Sequence, residues 1–389
     1  MPSRVMKGLV LLVLLLMAGA SPMAVGQDAG GIGPDAVRIA FFGDSGSGTA
    51  EQKAVARQLR RVEDDLRYVF LLGDNVYFTG QAKRFEPAFK SPYRRFLQRR
   101  TEAGQRQTAF HCALGNHDAR KCALQPREDG TFARDRDAYA WQVKGCDVEE
   151  QLADPDFGYV GQNRYYSVEV RGPGGELVAE VYALDSNTLA SEKHPNREDS
   201  AQLGWLVNAI RASRERAARA GVDPWRIVTL HHPIRTPAAR GYLFGLGGHS
   251  EDPTFVDALA HAFRLEESEE DRTLSSPIRS LIAGGLVDVV FAGHNHFYAR
   301  LEPDEDGIRH FVSGGGGIAV YEPNKNSAPV VAGGGFNHFV TAVLSPDRFE
   351  YCVIDSAGRV RDHGSWRRAA PRNADLPLDD DRYEVVCRP

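Results

Sequence analysis

Five short blocks decide what this chain can fold into. Gly43-Asp44-Ser45-Gly46, Gly73-Asp74-Asn75-Val76-Tyr77, Gly115-Asn116-His117-Asp118, Val228-Thr229-Leu230-His231 and Gly293-His294-Asn295-His296 each finish a run of apolar, β-prone residues. The runs Val37–Phe42, Tyr68–Leu72, Ala109–Leu114, Val178–Leu184, Arg226–Leu230 and Val287–Ala292 read as short buried strands. Between several of them the pattern turns helical, over Ala50–Asp64, Ala201–Ala220 and Pro277–Leu286. In the second, Leu203, Leu206, Val207 and Ile210 form an i, i+3, i+4, i+7 apolar stripe. Arg309–Val312, Phe339–Leu344 and Phe349–Ile354 then follow as strands with no helix between them. Alternation followed by consecutive strands predicts an α/β protein, its sheets flanked by helices. Ligands of such sheets collect outside the carboxyl ends of strands, so the five blocks are expected to converge on one cleft.

The blocks supply two carboxylates, a phenol, an amide and several imidazoles. That mixture of hard and borderline donors suits a pair of transition-metal ions better than one, and paired metals are a common means of cleaving phosphate esters. Singly, each block is weak. A Gly-Asp pair is an ordinary turn, and a lone His-x-His is more often structural than metal-binding. Gly43 to Gly48 lacks the final spacing of a dinucleotide loop. The weight lies in their joint occurrence, in this order.

The amino-terminal segment reads as an export signal: Arg4 and Lys7 precede an apolar run, Leu9 to Met17, that closes on Ala18-Gly19-Ala20. Cleavage near Ala20 places the protein in the periplasm or outside the cell. The run is shorter than the roughly 20 residues of a membrane span, so no stable membrane anchor is expected. Removing residues 1–20 moves the formal charge from −5 to −7. A mildly acidic chain without a basic stripe is not expected to bind nucleic acid. A Gly-, Ala- and Pro-rich lead-in at 21–36 precedes the catalytic domain at 37–366, and a Pro- and Asp-rich tail at 367–389 is expected to drape over the surface. Two long insertions, Arg120–Tyr166 and Arg235–Thr273, have the character of lids or specificity elements. Cys112 lies in a strand and reads as a free thiol. Proximity suggests pairing Cys122 with Cys146 and Cys352 with Cys387.

In these blocks the chain resembles the calcineurin-like metallophosphoesterases, and among them the purple acid phosphatases of the small, tartrate-resistant type. The pattern of that group, GDxG, GDxxY, GNH(D/E), VxxH and GHxH, is present in full between about Arg38 and Gly316. The resemblance implies a four-layer αββα sandwich of two mixed β-sheets. It implies one metal held by Asp44, Asp74, Tyr77 and His296, and a second held by Asp74, Asn116, His231 and His294, with Asp74 bridging. The phenolate and carboxylates suit Fe(III); the amide and imidazoles suit Fe(II), Zn or Mn. A water on such metals, its pKa lowered from about 15.7 towards about 7, becomes the attacking hydroxide. Small phosphate monoesters are the implied substrates. A phosphodiesterase or nucleotide pyrophosphatase would use the same metals, and a non-catalytic secreted protein would retain them unused.

The leaving group also needs a proton or a positive neighbour. His117 is the first candidate, with Asp118 orienting its ring. In the animal type a second active-site histidine stands about nine positions after the VxxH ligand, where this chain has Arg240. His232 and His249 are the candidates to replace it, and Arg240 itself has the planar fork that clamps phosphate oxygens. His338 is a candidate supporting residue, and Ser313 to Gly317 reads as a turn beside the cleft.

Overall fold

The computed structural model describes residues 32–123, 147–187, 197–238, 286–304, 307–324, 329–368 and 378–388. The signal segment, nearly all of the expected helix at Pro277–Leu286, residues 124–146 of the first insertion and most of the second lie outside these residues.

Continuous apolar runs become strands covered on both faces, as parallel sheets require. The first, β1 (Val37–Phe42), is buried throughout. It pairs in parallel with β2 (Leu66–Leu71), which pairs in parallel with β3 (Ala109–Cys112). On its other side β1 meets β11 (His338–Leu344) antiparallel. The strands β12 (Arg348–Asp355) and β13 (Val360–Arg367) complete a six-stranded sheet of order β13-β12-β11-β1-β2-β3. The second sheet holds β4 (Tyr166–Arg171), β5 (Leu177–Ala183), β6 (Trp225–Leu230), β7 (Val289–Ala292), β8 (Tyr298–Leu301), β9 (Arg309–Ser313) and β10 (Val330–Gly334), in the order β10-β8-β9-β7-β6-β5-β4. Within it β5, β6, β7 and β9 are parallel neighbours. Both sheets are mixed.

Their inner faces form one large core. Phe41 of β1 stacks flat on Phe291 of β7 with ring centroids 3.9 Å apart, and Phe291 stacks on Phe311 of β9. Helices cover the outer faces. On one side, α1 (Ala50–Leu59), capped by the Thr49 hydroxyl, buries Val55, Ala56 and Leu59. It gives way to a 3₁₀ turn at Arg60–Val62, short of the expected Asp64. The helix α2 (Ser91–Gln98) follows. Two further helices, α3 (Asn116–Ala123) and α4 (Asp147–Ala153), frame the first insertion. On the opposite side, α5 (Arg197–Ala220) lays Leu206 and Ile210 of the expected stripe against Tyr182, Val228 and Val290. Helix, sheet, sheet and helix make the four-layer sandwich.

The C-terminal segment lies over the first sheet as α6 (Asp380–Cys387), pinned at its end. Cys387 is joined to Cys352 of β12, and the buried Arg38 of β1 donates to the carbonyls of Val385 and Val386. A guanidinium at a helix C-terminus also complements its dipole. Cys112 is free and buried; the suggested partner of Cys122 lies outside the described residues. The Cys352–Cys387 link closes a separation of 35 residues, so Cys387→Ser should lower stability by about 3–4 kcal/mol. Urea unfolding with and without reductant measures this, the reduced wild type matching the variant.

Candidate metal centre

The expected ligands of each block lie just beyond the carboxyl end of a strand: β1, β2 and β3 in one sheet, β6 and β7 in the other. Space dictates the glycine before Asp74, Asn116 and His294. A β-carbon on Gly115 would stand 2.1 Å from the Asp74 carboxylate, one on Gly293 2.7 Å from that of Asp44, and one on Gly73 2.6 Å from the His231 ring. Glycine lets neighbouring ligand loops touch. At three blocks a ligand residue also takes up the left-handed backbone: Asp44 at φ 57°, Asp74 at φ 54° and His294 at φ 68°. Asp and His tolerate this region better than most residues, yet each instance costs on the order of 1–2 kcal/mol. Strain gathered at one place is characteristic of functional sites.

The side chains meet in two adjoining groups. The Tyr77 hydroxyl donates to Asp44 Oδ1 at 3.0 Å and lies 3.2 Å from His296 Nε2. That ring nitrogen is 3.4 Å from the same carboxylate oxygen. Asp44, Asp74 and His296 each present a ligand atom within 4.8 Å of the others. In the second group, His231 Nδ1 meets the Leu72 carbonyl at 2.8 Å. This fixes the tautomer and turns Nε2 towards Asn116 Oδ1, 2.9 Å away, and Asp74 Oδ1, 3.5 Å away. His231, His232 and His294 have the same ligand spacing as the first group. Asp74 belongs to one group and touches the other.

The electrostatics favour cations here. Asp44 and Asp74 are fully buried, and among the described residues no Lys or Arg pairs with either. Burial alone would raise the Asp74 carboxyl; the charges of His231 and His117 overcome it and hold it down at about 2. Burial works to lower His231, but the Asp74 and Asp44 carboxylates raise it. Burial, with those same carboxylates, pushes the Tyr77 phenol well up. Burial and the neighbouring His231 push His294 well down. Buried carboxylates beside imidazole nitrogens, with no Lys or Arg paired to them among the described residues, form a set that bound cations satisfy.

His117 lies at the centre with its backbone N–H on Asp74 Oδ1 at 2.9 Å and Nε2 4.0 Å from Asp74 Oδ2. Its Nδ1 is 2.8 Å from the Phe78 carbonyl. The ring is therefore oriented by that carbonyl, and the expectation that Asp118 orients it is corrected. Asp118 points beneath the ligand loops, where its two oxygens accept from Gly115 N, Asn75 N, Asn75 Nδ2, Val76 N and Gln151 Nε2 at 2.9–3.3 Å. His232 is buried beside the second group, its ring 4.5 Å from that of His294, with Nδ1 2.9 Å from Ser186 Oγ. His249 and Arg240 lie outside the described residues.

A family model described as calcineurin-like phosphoesterase matches residues 37–298, more than half of the chain. The chain belongs to that family. The phosphoesterase is 22% identical to Purple acid phosphatase 4 of Arabidopsis thaliana over 302 residues, 74% of this chain and 70% of the plant protein. It is likewise 22% identical to Purple acid phosphatase 3 of the same plant, over 73% of this chain and 64% of that one. Two solved structures share the fold. One is the purple acid phosphatase PPD1 from yellow lupin (Lupinus luteus) seeds, with TM-score 0.50 and 17% identity over 86% of this chain and 54% of that one. The other is GAP50, the anchor in the inner membrane complex of Plasmodium, with TM-score 0.51 and 15% identity over 89% and 90% of the two chains. The protein is thus a phosphoester hydrolase of a metal-binding family.

Sequence reasoning missed several residues that hold the phosphoesterase's ligand loops. Asn75, Gln151 and Tyr159 complete the buried network around Asp118. Ser186, just past the end of β5, receives the His232 N–H. Its position beyond a strand in the same parallel set was an available signal. The Gly-rich turn packs under Asp44, with Gly316 N on Gly43 O and Ile318 N on Asp44 O. His338, which burial lowers to about 4, braces that turn through Ser313 Oγ at 3.0 Å. Replacing Asp118 by Ala strands the N–H groups of both ligand loops. Asp118→Ala should cost about 3–5 kcal/mol in urea unfolding and retain less metal after gel filtration than Asp118→Asn.

Proposed function

We propose that this protein is an exported, purple acid phosphatase-like enzyme that hydrolyses phosphate monoesters at two bound cations, working best at acidic pH. One observation carries the reading: two buried donor groups meet at Asp74, directly beside an imidazole whose orientation is set by the backbone. The four donors Asp44, Asp74, Tyr77 and His296 suit Fe(III); Asn116, His231, His294 and the shared Asp74 suit Fe(II), Zn or Mn. Bound there, the cations would neutralise phosphate charge and make a water acidic enough to attack in line.

The chain's own residues do the rest. His117 carries its proton at Nδ1, donated to the Phe78 carbonyl, so Nε2 is the nitrogen that faces the reacting group. When protonated there, it contacts a phosphate oxygen and passes the proton to the departing alkoxide. His232, held by Ser186, lies on the opposite group as a further imidazole beside His231 and His294. Closed walls around Asp44 and Asp74 keep solvent from screening the charges. Residues 1–20 direct export, and the insertions at 120–166 and 235–273 set substrate choice.

Purified protein should contain about two metal ions per chain and show a visible absorption band, which Tyr77→Phe abolishes. Turnover of p-nitrophenyl phosphate should exceed that of bis-p-nitrophenyl phosphate by at least about tenfold in kcat/KM; the reverse order would establish a phosphodiesterase. His117→Ala should keep both metals and lose roughly 10²–10⁴ in kcat. Full turnover in that variant would remove His117 from the chemistry.

A further inference from the structure

One aromatic side chain near the cleft breaks the rule that the rest obey. Among the described residues every other phenylalanine is buried or partly buried, whereas Phe78 is 68% exposed. Water is an unfavourable place for a phenyl ring, and a core is its usual destination. Its backbone is tied to the site, the Phe78 carbonyl receiving the His117 Nδ1 bond at 2.8 Å. Its ring stands edge-on to both Tyr77 and His117, with centroids 5.8 Å and 6.3 Å away. The ring therefore marks the rim of the cleft on the His117 side.

That side carries the imidazole to which the proposed reaction assigns the leaving group. His117 Nε2 lies 4.0 Å from Asp74 Oδ2, and the exposed Phe78 ring stands edge-on beside the same imidazole. A group bound against that imidazole therefore has Phe78 as its exposed aromatic neighbour.

We propose that Phe78 is a specificity-determining residue that packs against the leaving group and favours phosphate esters of planar aromatic alcohols over those of small polyols. The proposal rests on the phosphomonoesterase reading above. Aromatic pairs gain from offset or edge-to-face contact at centroid distances of about 4.5–7 Å. A glycerol moiety, flexible and hydrated, gains little from the same ring.

The test compares metal-loaded wild type with Phe78→Ala and Phe78→Trp on phenyl phosphate and glycerol 2-phosphate. The aryl-to-polyol ratio of kcat/KM should fall roughly five- to tenfold in Phe78→Ala and return in Phe78→Trp. Binding of phenylphosphonate and methylphosphonate, measured by calorimetry, should lose its aryl preference by a similar factor. An unchanged ratio, or an equal loss on both members of each pair, overturns the proposal. Wild type that cleaves neither ester would sink the phosphatase reading, and the phosphonate pair would still decide the role of Phe78 by itself.

Discussion

The contact of β1 with β7 across the interior is the constraint on which the site depends. Phe41 lies flat on Phe291, and the apolar faces of both sheets close around that pair. Each sheet contributes parallel strands there, β1, β2 and β3 on one side and β6 and β7 on the other. Their carboxyl ends emerge at one edge, which brings five sequence-distant loops together. Hydrophobic burial thus holds the donors within reach of each other before any cation is bound. The His231 ring shows how tight this is: it takes a carbonyl from Leu72, in the opposite sheet's loop, as its hydrogen-bond partner.

Building such a site works against stability. Two carboxylates are removed from water, and three residues adopt a backbone that side chains disfavour. The surroundings offset this by satisfying every loop that carries a ligand. Asp118 joins the Asp74 loop to the Asn116 loop, Ser186 steadies the residue after His231, and the Gly-rich turn with His338 supports Asp44. An acidic residue next to a ligand thereby acts as a staple for backbone N–H groups.

The family match ends at residue 298, but the fold does not. Beyond it, β9 sits between β7 and β8, and β11 is the antiparallel neighbour of β1. The last helix is bound to β12 covalently and to β1 through Arg38. The central strand that carries Asp44 is therefore covered on one side by chain that follows every ligand in the sequence.

Much of this was legible in the residue order. Apolar runs located β1, β5, β6 and β11 to within a residue or so, because strands buried on both faces leave an unbroken hydrophobic signature. The glycine-ligand blocks announced the donors, since close loop approach excludes any β-carbon. Shorter or half-exposed pieces such as β4, β8 and β10 gave no comparable signal, although Tyr166–Arg171 alternates strictly once its face is known. What only the tertiary structure decided is which side chain answers which. Asp118 turned away from His117 because five N–H groups beneath the loops compete for its oxygens, and the Phe78 carbonyl holds the His117 ring instead. Local sequence sets the donor types and the strand ends; partner choice depends on distances across two sheets, which no local pattern encodes.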